Sequence, residues 1–245
     1  MIFPRFPKVR PALSAEVQKR YVEQYKANRE GGTAAASLAQ KMEAWMHTQV
    51  AQDVQGPAHA QKTTLELGAG TLNQLQYEPS VTAYDIVEPF KQLYEKSPLL
   101  ARVRHTYQEI HEIPDDTRYD RITSVAVLEH VCDLPALVAR SGLLLRPDGV
   151  FHASIPNEGT WLWTLGWKLT TGLEFRLKYG LDYGELMRHE HVNTAAEIEE
   201  VLQYFFRDVQ SKVFGLNKST AFYRYYACKQ ADIARCQQYL EHKKG

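Results

Sequence analysis

The sequence has little of three things: cysteine, net charge and long apolar runs. Its three cysteines, Cys132, Cys228 and Cys236, form an odd set without CxxC spacing, which predicts reduced thiols in the cytoplasm rather than a disulfide framework or a zinc site. The 29 basic and 29 acidic residues cancel to a formal net charge of zero, which argues against a nucleic-acid partner. The longest apolar stretch, near residues 161–165, is too short to cross a bilayer, so no membrane partner is predicted.

The 245 residues suffice for one α/β domain with additional elements. Prolines at positions 4, 7 and 11 predict an extended arm over residues 1–14. Apolar residues spaced by three and four then predict helices up to residue 54, interrupted at the double glycine 31–32. We therefore predict an N-terminal arm and helical cap over residues 1–54, followed by the main domain over residues 55–245.

The main domain alternates strand and helix patterns. Short apolar runs predict strands at residues 63–67, 81–87, 103–107, 121–127, 150–155, 209–214 and 221–228. Helices are expected after Glu88-Pro89, at 135–145, and at 194–206, where Thr194 and Glu197 form a capping-box pattern. This order predicts a Rossmann-like, doubly wound seven-stranded sheet, mostly parallel with an antiparallel C-terminal hairpin strand. Residues 156–190, rich in tryptophan and glycine, are predicted to be an insertion over the carboxyl ends of the strands.

The first strand runs into a tight turn at Gly68-Ala69-Gly70. Glycines at such a turn let the backbone approach a nucleotide-like ligand closely. Glu66 is an acid inside an otherwise apolar strand, and a buried carboxylate is costly without a partner. The third glycine of a dinucleotide-binding GxGxxG would fall at Asn73, which counts against an NAD(P)-dependent oxidoreductase, the main alternative in another class of function.

The segment Leu-Glu-Leu-Gly-Ala-Gly at residues 65–70 resembles the first motif of class I S-adenosylmethionine-dependent methyltransferases. The resemblance implies that Glu66 orients the methionine part of the cofactor and that the backbone of Gly68, Ala69 and Gly70 passes beside it. One departure concerns the third glycine of the motif, which is replaced by Leu72. The following polar residues and Pro79 leave room for only a very short helix before the second strand.

Further motifs of this family occur in the same order. The family places an acid at the end of the second strand, where its carboxylate accepts hydrogen bonds from both ribose hydroxyls. Asp85 and Glu88 are the candidates, and Glu88 is preferred because it lies 20 residues beyond Gly68. In the adenine segment, Glu109 would accept from the exocyclic amine and the Ile110 N–H would reach a ring nitrogen. Within the fourth strand, Ser124, Val125 and Ala126 would line the floor of the cofactor site.

The resemblance implies methyl transfer to an oxygen, nitrogen or carbon atom of a small molecule, with a sugar or another secondary metabolite as candidate acceptors. A histidine suits a general base near neutral pH, and the candidates are His130, His189 and His191, with a slight preference for His191. No metal site is predicted, because His189 and His191 lack an obvious third ligand. A homodimer is possible, and a cofactor-binding partner protein without catalysis is the remaining alternative.

Overall fold

The computed structural model describes residues 2–18, 34–56, 61–78 and 83–244. The predicted break at glycines 31–32 lies outside these residues, between a helical stretch at 15–18 and the long helix α1, Ala34–Val50. A short 3-10 helix, Ala51–Val54, continues α1 toward the first strand. The predicted helical character of the segment before residue 54 is therefore seen where the chain is described.

Within the described ranges, seven strands form one mixed sheet. They are β1 (Thr64–Leu67), β2 (Tyr84–Val87), β3 (His105–Tyr107), β4 (Tyr119–Val125), β5 (Leu145–Pro156), β6 (Phe206–Phe214) and β7 (Tyr223–Ala231), in the spatial order β3-β2-β1-β4-β5-β7-β6. The first five strands pair in parallel, and β7 runs antiparallel between β5 and β6. The predicted Rossmann-like fold with its antiparallel C-terminal strand is confirmed.

The remaining helices cover the faces and the carboxyl edge of the sheet. They are α2 (Leu134–Leu144), α3 (Trp161–Trp167), α4 (Leu173–Tyr179), α5 (Tyr183–Glu190), α6 (Ala195–Phe205) and α7 (Ile233–Lys244), with a π-helical turn at Lys168–Gly172 between α3 and α4. Thr194 caps α6, and Glu197 completes the capping box, as predicted. Among the described residues, no helix is both long and apolar enough to span a membrane.

Two local expectations are corrected. The helix predicted to open at Glu88 is only a three-residue 3-10 turn, Lys91–Leu93, because the Glu88 carboxylate binds the Phe90 N–H and holds this segment in a turn. Strand β4 ends at Val125, two residues earlier than predicted, because Ala126 takes a φ of 52°. Left-handed backbone of this kind cannot continue a strand.

The N-terminal arm packs into the main core. Phe3 and Phe6 are almost fully buried, and the Phe3 ring lies 5.2 Å from that of Tyr204 and 6.1 Å from that of Tyr239. Residues 2–14 form no helix or strand, and Phe3 packs this arm against α6 and α7. Burial of two such rings stabilises the docked arm by several kcal/mol, at about 1.5–3 kcal/mol each.

A buried polar network joins the end of α1 to the sheet. Arg121 of β4 is fully buried and lies 2.9 Å from a carboxylate oxygen of Glu78 and 2.9 Å from one of Asp53. It also donates to the Val50 carbonyl oxygen at 2.9 Å. Asp53 in turn lies 3.2 Å from Nε2 of the buried His152 on β5. A buried guanidinium requires such partners, since its desolvation is otherwise costly.

Candidate active site

The carboxyl ends of β1, β2 and β4 meet at one edge of the sheet, where a large cavity opens. In parallel α/β sheets, ligands bind at this edge near the point where the strand order reverses. Of the residues predicted to bind a cofactor or to act as a base, those that line this cavity are Gly68, Gly70, Glu88, Glu109, Ile110, Ala126 and His130. The structure therefore brings together residues spread over more than sixty positions of sequence.

The two glycines of the turn after β1 face different surroundings. A Cβ at Gly68 would lie 2.4 Å from Cγ2 of Val127, whereas a Cβ at Gly70 would meet nothing within 4 Å. Both glycines have positive φ, 66° and 51°. Gly68 thus permits close packing of β1 against the segment after β4, and Gly70 leaves the backbone bordering open space. Leu72, at the family's third glycine position, also has a φ of 68°, so the glycine-like backbone is kept without glycine.

The Glu88 carboxylate lies directly beside the glycine turn. It accepts a hydrogen bond from the Gly70 N–H at 2.8 Å and one from the Phe90 N–H at 2.9 Å. A carboxylate has about four acceptor sites, so about two are left for further donors on the cavity side. Glu88 is mostly buried yet borders the cavity, which is the placement expected for an acid that holds a ribose.

Asp85, the competing acid, is committed elsewhere. Its carboxylate accepts from Arg104 at 2.9 and 2.6 Å and from the Tyr119 hydroxyl at 2.8 Å. Although burial opposes ionisation, these hydrogen bonds hold the pKa of Asp85 below its usual value. Asp85 does not line the cavity. The geometry thus favours Glu88 over Asp85 as the acid facing a ligand.

Glu66 and Ala69 do not line the cavity. Glu66 is buried, and it accepts a hydrogen bond from the Tyr84 hydroxyl at 2.9 Å. Burial raises the pKa of Glu66 to about 8, although the bond from Tyr84 opposes the shift. Ala69 packs in a small apolar cluster with Leu72 and Leu75. Tyr84 was not expected in the site from sequence, because its position inside a strand suggested only packing.

Of the residues predicted for the adenine segment and the floor, Ala126 lines the cavity together with Glu109 and Ile110, whereas Ser124 and Val125 do not. Ile110 is nearly buried under the cavity. Glu109 is largely exposed, and its carboxylate lies 3.0 Å from Nδ1 of His111. The Ala126 N–H donates to the Ser154 carbonyl oxygen at 2.8 Å, which anchors the end of β4 to β5. The role of Glu109 toward adenine remains a prediction.

The three candidate histidines separate into a pair and an outlier. The rings of His130 and His191 meet edge to face, with centroids 4.9 Å apart. Nδ1 of His130 is 2.8 Å from the Glu190 carbonyl oxygen, and Nδ1 of His191 is 2.7 Å from a Glu158 carboxylate oxygen. His189 instead turns its Nδ1 to the Pro11 carbonyl oxygen at 2.7 Å and lines neither of the two described cavities.

Glu158 and Arg10 are residues of the site that the sequence did not reveal. Although burial opposes it, the hydrogen bond from His191 keeps the pKa of Glu158 below its usual value. Arg10 lines the cavity and donates to the carbonyl oxygens of His130 and Glu190. Glu158 lies just past the end of β5, at the carboxyl edge of the sheet, and this position is the one signal that would have drawn attention to it.

The turn that carries His130 is tied to the segment that carries His191. The side-chain amide of Asn193 donates to the carbonyl oxygens of Leu128 and Val131 at 2.8 and 2.7 Å, and its backbone N–H donates to that of Glu129 at 3.0 Å. Glu129 itself is buried, and burial raises its pKa to about 7. The three hydrogen bonds of Asn193 hold the turn that carries His130 next to the segment that carries His191, although the two are about sixty residues apart in sequence.

The residues at this edge fit the cofactor that the sequence motifs imply. Gly70 leaves open space where a side chain would stand, Glu88 has acceptor capacity on the cavity side, and Ile110 and Ala126 provide apolar surface. An adenosine moiety requires a flat apolar cleft together with an acceptor for its ribose hydroxyls. Gly68, Gly70, Glu88, Ile110 and Ala126 are therefore the residues that would hold it.

Comparison with solved structures shows the same fold. The CurJ carbon methyltransferase has a TM-score of 0.55 and 18% identity over 85% of this chain, which spans only 58% of that protein's length. The plantazolicin methyltransferase BpumL gives 0.59 and 13%, covering 87% of this chain and 90% of that one. The Burkholderia thailandensis 1,6-didemethyltoxoflavin-N1-methyltransferase gives 0.51 and 18%, covering 91% and 94%.

Comparison of sequences identifies the family. No curated protein matches the sequence significantly. The sequence model of a methyltransferase domain, however, matches residues 42–209, which is more than half of the chain and includes the glycine turn, Glu88 and both paired histidines. The chain belongs to the class I S-adenosylmethionine-dependent methyltransferases.

Proposed function

We propose that this enzyme transfers the methyl group of S-adenosylmethionine to an oxygen, nitrogen or carbon atom of a small molecule, such as a sugar or another secondary metabolite. One observation carries the proposal: a single cavity borders the glycine turn and Glu88 on one side and His130 on the other. A site for the cofactor and a group suited to proton transfer thus border the same cavity.

S-adenosylmethionine supplies an electrophilic methyl group on a sulfonium, so the protein's contribution is alignment, exclusion of water and, for some acceptors, removal of a proton. In this proposal Glu88 accepts the ribose hydroxyls while the Gly70 N–H keeps its carboxylate in place. Gly68 brings Val127 against the turn and closes the floor on that side. Glu66 supports the turn from within the sheet.

His130 is the histidine that faces the acceptor in this proposal. Its Nδ1 lies beside a carbonyl oxygen, which can only accept a hydrogen bond, so Nδ1 carries the hydrogen and Nε2 offers a lone pair. His191 lines a smaller cavity with Trp167 and Lys168, and its ring packs against that of His130. In this proposal His130, and not His191 as preferred from the motifs, is the histidine in direct contact with the acceptor.

Titration calorimetry tests the cofactor half of the proposal. We expect S-adenosylmethionine and S-adenosylhomocysteine to bind and NAD(H) not to bind. Glu88→Gln removes the charge that strengthens hydrogen bonds to the ribose, and it should weaken binding by about 1–3 kcal/mol, roughly 5- to 150-fold. The control is Glu95→Gln, which removes the same charge from an exposed position and should leave affinity unchanged. Binding of NAD(H) alone would refute the assignment, and unchanged affinity in Glu88→Gln would show that Glu88 does not hold the ribose.

The acceptor is proposed only as a class. The names of the structural neighbours include a carbon methyltransferase and an N1-methyltransferase of a small heterocycle, so the same fold serves acceptors of different atoms. A crystal structure with S-adenosylhomocysteine would show which side chains surround the space beyond the sulfur. A wholly polar, basic lining there would argue against a small-molecule acceptor.

The expectations about partners and location belong to the same proposal. The balanced charge supports the absence of a nucleic-acid partner, and three free cysteines support a reducing compartment, the cytoplasm. A homodimer is proposed from the sequence alone, and light scattering of the purified protein tests it. If the protein binds S-adenosylmethionine but methylates nothing in a broad metabolite screen, the result would favour the alternative of a cofactor-binding partner protein without catalysis.

A further inference from the structure

Three potential metal ligands converge beside the proposed acceptor site. Glu129, His130 and His191 each place one ligand atom within 4.8 Å of the others. The first two follow β4, and His191 directly follows α5, so the cluster unites two segments that are distant in sequence. The sequence suggested no third ligand for His189 and His191. In the structure His191 is joined by Glu129 and His130, and His189 is not part of the cluster.

Both imidazoles direct a lone pair away from their anchored nitrogen. Nδ1 of His130 faces a backbone carbonyl oxygen at 2.8 Å, and Nδ1 of His191 faces the Glu158 carboxylate at 2.7 Å. Because these oxygens accept hydrogen bonds, each Nδ1 carries its hydrogen, and each neutral ring presents a bare Nε2. Histidines that bind metals almost always donate their other nitrogen to a carboxylate or a carbonyl in this way.

The carboxylate of Glu129 adds a buried acceptor without a partner. The side chain is 1% exposed, and its Oε2 has no hydrogen-bond partner among the described residues. Its Oε1 lies 3.7 Å from Nε2 of His130. In the described part of the chain, no lysine or arginine forms an ion pair with it. A buried acceptor left unpaired costs about 1–3 kcal/mol, and more when it is charged, and a cation bound beside Glu129 would remove this cost.

We propose that Glu129, His130 and His191 bind one divalent first-row transition-metal ion, with Zn²⁺, Mn²⁺, Fe²⁺ and Co²⁺ as the ions that suit two imidazoles and a carboxylate. An ion about 2.1 Å from each donor needs donors about 3.5 Å apart, so the side chains must close by about 1.3 Å or less. Three protein ligands leave at least one position open. His130 lines the large cavity, so this position can be reached from it.

The contacts around the cluster already hold it in shape. Asn193 ties the turn bearing Glu129 and His130 to the segment bearing His191. Arg10 donates to the His130 backbone carbonyl oxygen and not into the cluster, which keeps its charge away from the ion. One consequence rests on the proposed function: with an ion bound, Nε2 of His130 would bind the metal and would not accept a proton from the acceptor. Acceptors with an oxygen able to bind the ion would then be preferred.

Metal binding can be measured without cofactor or acceptor, so its result is independent of the methyltransferase proposal. The full chain is dialysed against a chelator and then titrated separately with Zn²⁺, Mn²⁺ and Co²⁺ in equilibrium dialysis. We expect one ion per chain for at least one metal, together with a rise in the melting temperature. With Co²⁺, a change in the visible absorption spectrum should report nitrogen ligands.

Variants distinguish this site from surface chelation. His191→Gln and Glu129→Gln should each weaken binding more than about tenfold, and Glu158→Gln, which loses the partner of His191, by about tenfold. His189→Gln is the matched control two residues away and should bind as the wild type does. Failure of all three metals to bind the wild type overturns the proposal, and so does equal loss in His189→Gln. If a ligand variant fails to fold, Glu158→Gln and the wild-type titration still decide the question.

Discussion

At the scale of single residues, the two glycines of the turn after β1 are required for different reasons. We predict that Gly68→Ala lowers stability by about 2–4 kcal/mol, since its Cβ would overlap Val127 and its φ of 66° is unfavourable for alanine. Gly70→Ala should cost only about 1–2 kcal/mol in stability but should weaken S-adenosylmethionine binding, because its Cβ enters the open cavity. Urea unfolding and calorimetry on both variants measure the two effects.

The double variant Gly68→Ala/Val127→Ala provides the control for the packing argument. Removing the Val127 methyl groups takes away the atoms that the new Cβ would meet, while the backbone strain remains. We expect the double variant to be more stable than Gly68→Ala alone. If the two lose stability independently, steric overlap with Val127 is not the reason for glycine at position 68.

Glu66 makes stability fall as pH rises. Its pKa is raised from 4.5 to about 8 by burial, so between these values the folded chain keeps a proton that the unfolded chain loses. The free energy of unfolding should then fall by up to about 1.4 kcal/mol per pH unit across this window. Glu78 and Glu88 also raise the pKa, whereas Tyr84 and Arg121 oppose the shift.

Replacing Glu66 by glutamine isolates this contribution. Glu66→Gln keeps an oxygen for the Tyr84 hydroxyl but cannot ionise. Without cofactor, the variant should gain stability relative to the wild type as pH rises from about 5 to 8, measured by urea unfolding at several pH values. Parallel curves for the two proteins would show that Glu66 keeps an ordinary pKa in the folded chain.

At the scale of elements, the loop before α6 positions the candidate histidines. Asn193→Asp replaces an amide that donates to two backbone carbonyl oxygens by a group that can only accept. We predict a loss of about 2 kcal/mol or more in stability and a lower kcat at unchanged S-adenosylmethionine affinity. Thr194→Ala is the matched control. It removes the cap of α6, which should lower stability by about 1 kcal/mol, and it should leave kcat at the wild-type value. Equal kcat in both variants would contradict the positioning role.

The elements most accurately predicted are those determined locally. The cap of α6 depends on Thr194 and Glu197, three residues apart, and the short 3-10 helix at Asn73–Gln76 follows from the polar residues and Pro79 after the glycine turn. Strand ends were less accurate, because pairing with neighbours decides them. Strand β5, for example, begins at Leu145 through pairing with Tyr119, five residues before the predicted start at residue 150.

The candidate site was predictable in its cofactor half and not in its acceptor half. Gly68, Gly70 and Glu88 lie close together because adjacent parallel strands end at one edge, and short motifs record that arrangement. The contact of His130 with His191 joins residues 61 positions apart through a loop and a helix whose path no local pattern specifies. The same reason hid Glu158 and Arg10.

At the scale of the whole molecule, Arg121 connects the N-terminal helix to the sheet. Arg121→Met would leave Glu78 and Asp53 without their buried partner, and we predict a loss of about 3–5 kcal/mol in the free energy of unfolding. The double variant Arg121→Met/Glu78→Gln should recover part of this loss, as measured by urea unfolding in a double-mutant cycle.

Arg146 offers the matched surface pair for this cycle. It lies 3.4 Å from Asp120 and is about half exposed, so Arg146→Met should cost less than about 1 kcal/mol. A similar cost for Arg121→Met and Arg146→Met would mean that the buried network contributes no more than an exposed ion pair.

The N-terminal arm also sets an order of events during synthesis. Arg10 precedes its partners His130 and Glu190 by 120 and 180 residues, and the sequence separation between Phe3 and Tyr239 is larger still. The arm therefore leaves the ribosome with nothing to dock on, and its contacts close last. A nascent chain synthesised only as far as β5 already contains the strands that position the glycine turn and Glu88. It still lacks His191 and Asn193, which hold His130 in place. The enzyme thus acquires its cofactor half before the half that would select an acceptor.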